Sequence, residues 1–336
     1  MDRLSMDRVD ALLRGIRRVR VLVAGDLMLD RYLHGAASRI SPEAPVPVVR
    51  ISGQWRALGG AANVAANVVA LGASCTVAGC AGNDAGGAEL REALGDAGID
   101  DGGVVTVPDR PTTVKTRVIS RHHQVARYDV EVEDDLEGDW ASSLAERIRA
   151  LSGSVDVVVL EDYNKGALVA PVIEAAMGAG VPVIVDPKAR NFFAYGGASV
   201  FKPNLAELEA ALQARVPADD PDWMAGMRER LKCDNLLVTL GEGGMALITD
   251  AGEHVRIPAV ARSVYDVSGA GDTVTATVAV ALAAGATMVE AAILANQAAA
   301  LEVEKLGVAV ITPAELRQAV AERAAGGQAG TGTSEG

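Results

Sequence analysis

Aromatic residues are scarce in this sequence, at 3% of 336 positions, so Ala, Val and Leu must fill any core. Cysteine is scarce too, and Cys75, Cys80 and Cys233 form no metal or redox spacing. If Cys75 and Cys80 share a strand they face opposite ways. All three read as small buried hydrophobes in a reducing compartment. Long apolar runs are missing. The longest uncharged span, 273–289, is rich in Ala and Thr, interrupted by Gly285, and short for a membrane helix. The opening MDRLSMDRVDALLRGIRRVR alternates charge with apolar residues and lacks the apolar centre of a signal peptide. Basic residues are outnumbered 31 to 44, giving a formal net charge of -13. So acidic a surface argues against non-specific binding to nucleic acid or anionic membrane, while leaving room for one local basic pocket that captures a small phosphate ester. A soluble cytoplasmic protein is expected, with no nucleic-acid and no membrane partner.

What is present is a regular alternation. Residues 3–18 have helical apolar spacing, and VRVLVAGD (19–26) is a short buried strand ending at Gly and Asp. A helix over 61–71, the strand CTVAGCAG and a helix over 85–97 follow. VDVVVLED (155–162), a helix over 168–178, VPVIVD (181–186), NLLVTLG (235–241) and GMALIT (244–249) continue the pattern. Such βαβ alternation predicts an α/β fold with a doubly wound, mostly parallel sheet. Ligands bind such sheets outside the carboxyl ends of the strands, where Asp26, Asp162, Asp186 and Gly241 fall. Two stretches break the pattern. Residues 31–56 carry the proline-rich SPEAPVPVVRI, and 104–133 are β-branched and roughly alternating. Together they predict a small antiparallel β-sheet lid on a single domain spanning 1–322, with 323–336 a disordered tail.

The strongest chemical feature is YDVSGAGDTVTATVAVALAAG, 265–285. Gly269, Ala270 and Gly271 form a tight turn whose N–H groups gather at the positive end of a helix, a place for negative charge on a transferring phosphoryl group. Asp272 at that turn is positioned to take a proton from an attacking hydroxyl. A Gly-x-Gly-Asp turn is by itself more often a plain helix cap, and only its companion motifs reverse that reading. The second feature is LGGAANVAANVVALGA, 58–73, where Gly59 and Gly60 allow close backbone approach and the Asn63 amide suits sugar hydroxyls.

As a pair, GGAANVAANVVALG and DVSGAGDTV resemble the two signatures of the PfkB or ribokinase family of carbohydrate kinases, over about residues 19–315. The resemblance implies the ribokinase-like fold and an ATP-dependent sugar kinase. Asp272 would be the catalytic base and the Gly269–Gly271 amides the anion hole. Asp30, Gly59, Gly60 and Asn63 would bind the sugar. KPNLAELEAAL resembles the N-x-x-E element, so Asn204 and Glu207 would organise phosphate and, indirectly, Mg²⁺. LVTLGEGG resembles the segment lining the nucleotide site, with Thr239, Gly241 and Gly244, and Asn296 matches a position beside adenine. Asp266 falls where some members bind a monovalent cation such as K⁺, and turn capping is the equal alternative.

Within the family, GDLMLDRYLHG, SRISPEAPVPVV, DYNKGAL and VDPKARNF resemble the heptose-7-phosphate kinases of the ADP-heptose pathway. That implies phosphorylation at C1 of D-glycero-D-manno-heptose 7-phosphate to the 1,7-bisphosphate. Asp26 and Asp30 would accept hydroxyl bonds. Lys165, Lys188, Arg117 and Arg127 are candidate cations for the distal phosphate, Lys165 foremost because it follows a strand-end turn. The chain departs from the pattern at Asn164, where Gly is expected, and at Glu161, where Ser or another small residue is expected. With no room after residue 336 for a nucleotidyltransferase domain, a separate protein of the pathway is expected to adenylylate the product. A homodimer joined through the lid is expected, because projecting strands expose an edge. The alternatives are another acceptor (fructose, ribose, a hexose phosphate or a nucleoside) and a non-catalytic sugar or nucleotide sensor. A dinucleotide enzyme is disfavoured, because the first strand ends GDLMLD with no G-x-G-x-x-G turn.

Overall fold

The computed structural model describes residues 4–329 except His122, Arg262, Ser263, Leu306 and Val308. In chain order the first elements are α1 (Met6–Ile16), β1 (Arg20–Gly25), β2 (Leu27–Ile40), β3 (Pro47–Gly60), α2 (Ala61–Ala70), β4 (Ser74–Gly82), α3 (Ala85–Asp96), β5 (Asp100–Val107), β6 (Thr113–Ser120) and β7 (His123–Val130). Next come α4 (Gly138–Ser152), β8 (Val157–Glu161), α5 (Ala170–Met177), β9 (Val183–Asp186), β10 (Val200–Phe201), α6 (Leu205–Leu212) and α7 (Pro221–Leu231). The chain closes with β11 (Asn235–Thr239), β12 (Met245–Ile248), β13 (His254–Ile257), α8 (Ala270–Ala283), α9 (Met288–Val303) and α10 (Pro313–Ala329).

Among the described residues nine strands form the main sheet, in the order β13-β12-β11-β10-β9-β8-β1-β4-β5. It is parallel from β11 to β5, and β12 and β13 run antiparallel at one edge. The apolar runs read as buried strands are buried because both faces are covered. In β1, Val21 and Val23 feed one core with α1, α2, α8 and α9, while Leu22 and Ala24 feed the other with α4, α5 and α7. Val157 and Val159 of β8 divide from Val158 and Leu160 in the same way. That is the doubly wound fold, built from strands with no polar face. Cys75 and Cys80, both on β4, join opposite cores.

A second sheet of four strands, ordered β3-β2-β6-β7, forms the lid. Each outer pair is an antiparallel hairpin, and the two hairpins join through a parallel β2–β6 contact. The lid begins later in its second half than the β-branched run suggests, because residues 104–107 complete β5 in the main sheet, where Val104, Val105 and Val107 are buried. The final helix continues to Ala329, so 323–329 of the expected tail is helical and 330–336 lie outside the described residues. No helix among the described residues is long and apolar enough to cross a membrane.

The lid is rooted at the site. β1 passes through Asp26 straight into β2, and β3 runs straight into α2. Gly60 makes the second junction possible, with φ of 56° and a position where a Cβ would lie 2.4 Å from the Asp26 carbonyl oxygen. No helix follows β1, so a dinucleotide turn has no place there.

Candidate active site

The carboxyl ends of β1, β8, β9 and β10 and the N-terminus of α8 meet at one point beneath the lid. Asp272 sits there, 5% exposed, although α8 is otherwise an Ala- and Val-rich helix buried between α2 and α9. Two donors far away in sequence hold its carboxylate. Asn63 Nδ2 donates to Oδ2 at 2.6 Å, and the Tyr163 hydroxyl donates to Oδ1 at 2.7 Å. Burial raises the Asp272 carboxyl to about 6, against the lowering influence of those two bonds. Beside it Gly269 has φ of 96° and begins α8 with no side-chain cap. Gly269, Ala270 and Gly271 are all partly exposed, so the turn is open on its outer side. At Gly271 a Cβ would stand 3.7 Å from Lys202 Nζ. The arrangement pairs a buried carboxylate of raised basicity with an open helix N-terminus, which suits proton removal beside a developing anion.

Behind Asp272 lies a buried charge cluster. Lys202 Nζ, 2.8 Å from Asp186 Oδ2, is 2% exposed, and Thr275 Oγ1 donates to the same Asp186 oxygen at 3.2 Å. Burial disfavours the Lys202 ammonium, but Asp186 and Glu161 outweigh it and raise its pKa. Glu161, at the end of β8, is 0% exposed, and neither carboxylate oxygen has a hydrogen-bond partner among the described residues. Burial first, then Asp186 and Asp272, push the Glu161 carboxyl well above the usual range.

Several expected contact residues are committed to the scaffold. Asp26 takes the N–H groups of Tyr163, Lys165 and Ala167 at 2.8–3.0 Å, so both its oxygens clamp the turn after β8. A sugar hydroxyl would have to share them. Asp162 likewise accepts from Asn164 N–H, Tyr195 hydroxyl and Asn191. Asn164 has φ of 56°, the left-handed conformation that Asn can adopt in place of Gly. Asp30 is ion-paired to Arg117 across the lid, and a Cβ at Gly59 would come 2.8 Å from its Oδ2.

The residues expected at the nucleotide lie around β11 and α6. Asn204 caps α6 by accepting from Glu207 N–H, and Glu207 Oε2 accepts from Asn204 N–H, a closed capping box. Glu207 Oε1 pairs with Lys188. Burial works against the Lys188 charge, but Asp186 and Glu207 prevail and push it up to about 12. Asn204 bridges Thr239. Gly241 (φ 56°) begins a tight turn, and Gly244 (φ 81°) lets the chain pass where a Cβ would lie 2.1 Å from the Ile257 carbonyl oxygen. Asn296 donates to the Pro258 carbonyl at 2.9 Å. Asp266 accepts from Ser268 N–H at 2.9 Å, as a turn cap does.

The four expected phosphate cations all have carboxylate partners. Lys165 holds Glu131 and Glu133, Lys188 holds Glu207, Arg117 holds Asp30 and Arg127 holds Asp129. Lys115 was not anticipated. It makes no ion pair among the described residues, and its Nζ lies 6.0 Å from the centroid of the Tyr163 ring. Tyr163 and Lys202 were missed as well. The available signal for Lys115 was its position two residues before Arg117 on one strand, which puts both on one face.

The fold has well-characterised counterparts. Ribokinase of Arabidopsis thaliana, complexed with ribose and ATP, matches with a TM-score of 0.69 and 24% identity, over 91% of this chain and 98% of that one. Phosphofructokinase-2 of Escherichia coli, in complex with potassium, matches with a TM-score of 0.73 and 22% identity, over 91% and 99%. The architecture is therefore that of the ribokinase-like proteins. Residues 19–315 match the model of the pfkB family carbohydrate kinases, and the chain belongs to that family. Among curated relatives, Bifunctional protein HldE of Halorhodospira halophila is 50% identical over 315 residues, 92% of this chain and 65% of the relative. Proteins of the same name from Pseudomonas aeruginosa and Pelobacter propionicus are 46% and 43% identical, over 95% and 96% of this chain. The chain spans about 65% of the length of the first of these relatives and 66% of the other two.

Proposed function

We propose that this carbohydrate kinase transfers the γ-phosphoryl group of ATP to the C1 hydroxyl of D-glycero-D-manno-heptose 7-phosphate, with Asp272 as the base. The observation that carries the proposal is the buried Asp272 carboxylate, raised to about 6, beside the uncapped Gly269–Gly271 turn. Phosphoryl transfer needs mainly positioning and charge stabilisation, and this corner of the sheet supplies both. Asn63 and Tyr163 aim the carboxylate, the hydroxyl proton passes to an Asp272 oxygen, and the turn amides face the transferred charge. The four segments that resemble heptose-7-phosphate kinases, with 43–50% identity to the HldE proteins, support the choice of acceptor.

ATP lies, in this reading, along Asn204, Thr239, Gly241 and Gly244, with Asn296 beside the base. Both Glu207 oxygens already accept a bond or face a cation, so Glu207 fits a magnesium ion held through water better than one bound directly. Magnesium supplies charge neutralisation of the phosphates there. A potassium ion at Asp266 belongs to the same reading, and activation by K⁺ over Li⁺ tests it. Lys115 joins Lys165, Lys188 and Arg117 as a cation for the distal phosphate. Asp30, Gly59 and Gly60 form the sugar side of the cleft.

The lid strands expose Ile40, Ile51, Trp55, Val125, Tyr128 and Val130. We assign these to a homodimer contact through the lid, since exposed apolar side chains on unpaired strand edges favour association. A monomeric mass by light scattering would remove that assignment. The functional test is ADP release with Mg-ATP and a panel of acceptors. A chain that binds ATP but yields no ADP with any of the acceptors would be a sensor.

A further inference from the structure

We propose that Glu131 and Glu133 hold Lys165 in place of the acceptor's distal phosphate, and that a phosphate displaces them and so unlatches the lid. The proposal rests on the reading that the acceptor carries such a phosphate. Residues 131–137 lead from the last lid strand, β7, back to α4, and so form one hinge of the lid. Lys165 Nζ lies 2.9 Å from Glu131 Oε1 and 2.7 Å from Glu133 Oε1. Its own N–H donates to Asp26, so the ammonium projects from a turn that is fixed beneath the lid.

The hinge is held in two ways. Arg110 donates to the carbonyls of Val132 and Asp134 at 3.4 and 2.9 Å, and Arg190 donates to the Glu133 carbonyl at 2.7 Å and to Asp135 Oδ1 at 2.6 Å. Leu136 N–H donates to the Gly166 carbonyl at 2.8 Å, and a Cβ at Gly166 would lie 2.1 Å from the Asp134 carbonyl oxygen. These links run mostly to the main chain and form the permanent anchor. The Lys165 links join side chain to side chain, which an incoming anion can replace. Charge makes the replacement exclusive. Two carboxylates on one ammonium already leave one negative charge, so a phosphate dianion cannot join them and must take their place. Glu131 is a poor incumbent, because its Oε2 is buried with no hydrogen-bond partner among the described residues, a cost that departure relieves. The Glu133 side chain is 62% exposed, so its pair is weak. Burial works against the Lys165 charge, but Glu133 and Glu131 outweigh it and raise its pKa. An unphosphorylated sugar brings no charge and leaves the latch shut, so the acceptor's own phosphate drives the step that admits it.

The test uses inorganic phosphate as the probe, on the nucleotide-free chain. Glu131→Gln and Glu133→Gln keep the side-chain shape and remove a competing charge. Each should bind phosphate about two- to fivefold tighter by calorimetry, the worth of one partly exposed ion pair. The gain should vanish when Lys165→Met is added. Amide exchange over 123–131 should quicken in the wild type when phosphate binds, while the variants exchange faster from the start and respond little. In turnover both variants should lower KM for a phosphorylated acceptor by a similar factor and leave KM for Mg-ATP unchanged. Phosphate affinity unchanged or weakened in both variants, a gain that survives Lys165→Met, or wild-type exchange that ignores saturating phosphate would each overturn the latch. Preferred turnover of an unphosphorylated sugar would instead overturn the acceptor, with the phosphate response of the lid still standing.

Discussion

Replacing Asp272 by Asn removes the base while sparing the packing. The amide has nearly the carboxylate's shape. Its oxygen can still accept from Asn63 Nδ2, and its NH₂ can donate to the Tyr163 hydroxyl, which accepts as readily as it donates. A negative charge also leaves a cluster that already holds Glu161 and Asp186. The melting temperature is therefore expected to stay within about 2 °C, the worth of roughly 1 kcal/mol at this chain length. Turnover is a different matter. With Asp272 raised to about 6, the wild-type carboxyl is about nine-tenths ionised at pH 7 and ready to accept a proton. Losing a general base costs on the order of 10²–10⁴-fold, or about 3–5 kcal/mol of transition-state stabilisation. Coupled-assay turnover of Asp272→Asn beside its melting curve reads both quantities. Near-wild-type turnover in a folded variant would refute the role of Asp272.

Further expectations follow from the same contacts. Because burial raises Asp272 to about 6, kcat/KM should fall as pH drops through 6, approaching tenfold per unit, and a flat profile down to pH 5 would contradict the assignment. Tyr163→Phe removes a donor that favours the ionised Asp272, so the acid limb should move upward by about one unit. An unmoved limb would show that the phenol does not hold the base. Lys115→Met should raise KM for a phosphorylated acceptor by about 10–100-fold and leave unphosphorylated sugars unaffected, the size of one charge-assisted bond. Glu302, raised to about 8 by burial and then by Asp266 and Asp272, favours its proton in the folded state. Stability is thus lost as pH rises from the ordinary Glu range through 8, and Glu302→Gln should recover about 1–3 kcal/mol in denaturant melts at pH 9 but little at pH 4.

The fold was legible because its strands are buried on both faces and end in Asp or Gly. VRVLVAGD and VDVVVLED each announce a strand and its carboxyl end in eight residues. The lid was legible as β-branched segments, but its parallel β2–β6 join was not, since pairing between distant hairpins leaves no local pattern. At the site, the Gly269–Gly271 turn and Asp272 could be read locally. What holds Asp272 could not: Asn63 is 209 residues away and Tyr163 is 109. Asp26 looked like a ligand residue at a strand end, yet its oxygens clamp a turn 137–141 residues later. Glu161 stood out only as a departure from a pattern. Its isolation became visible once β8, β9 and α8 were in place.

The most direct test of the account is ADP release with Mg-ATP and D-glycero-D-manno-heptose 7-phosphate, run beside fructose, ribose and fructose 6-phosphate. The account predicts that the heptose phosphate is turned over with the highest kcat/KM and that the new phosphate appears at C1. Preferred turnover of another acceptor, or phosphate at another carbon, would contradict it.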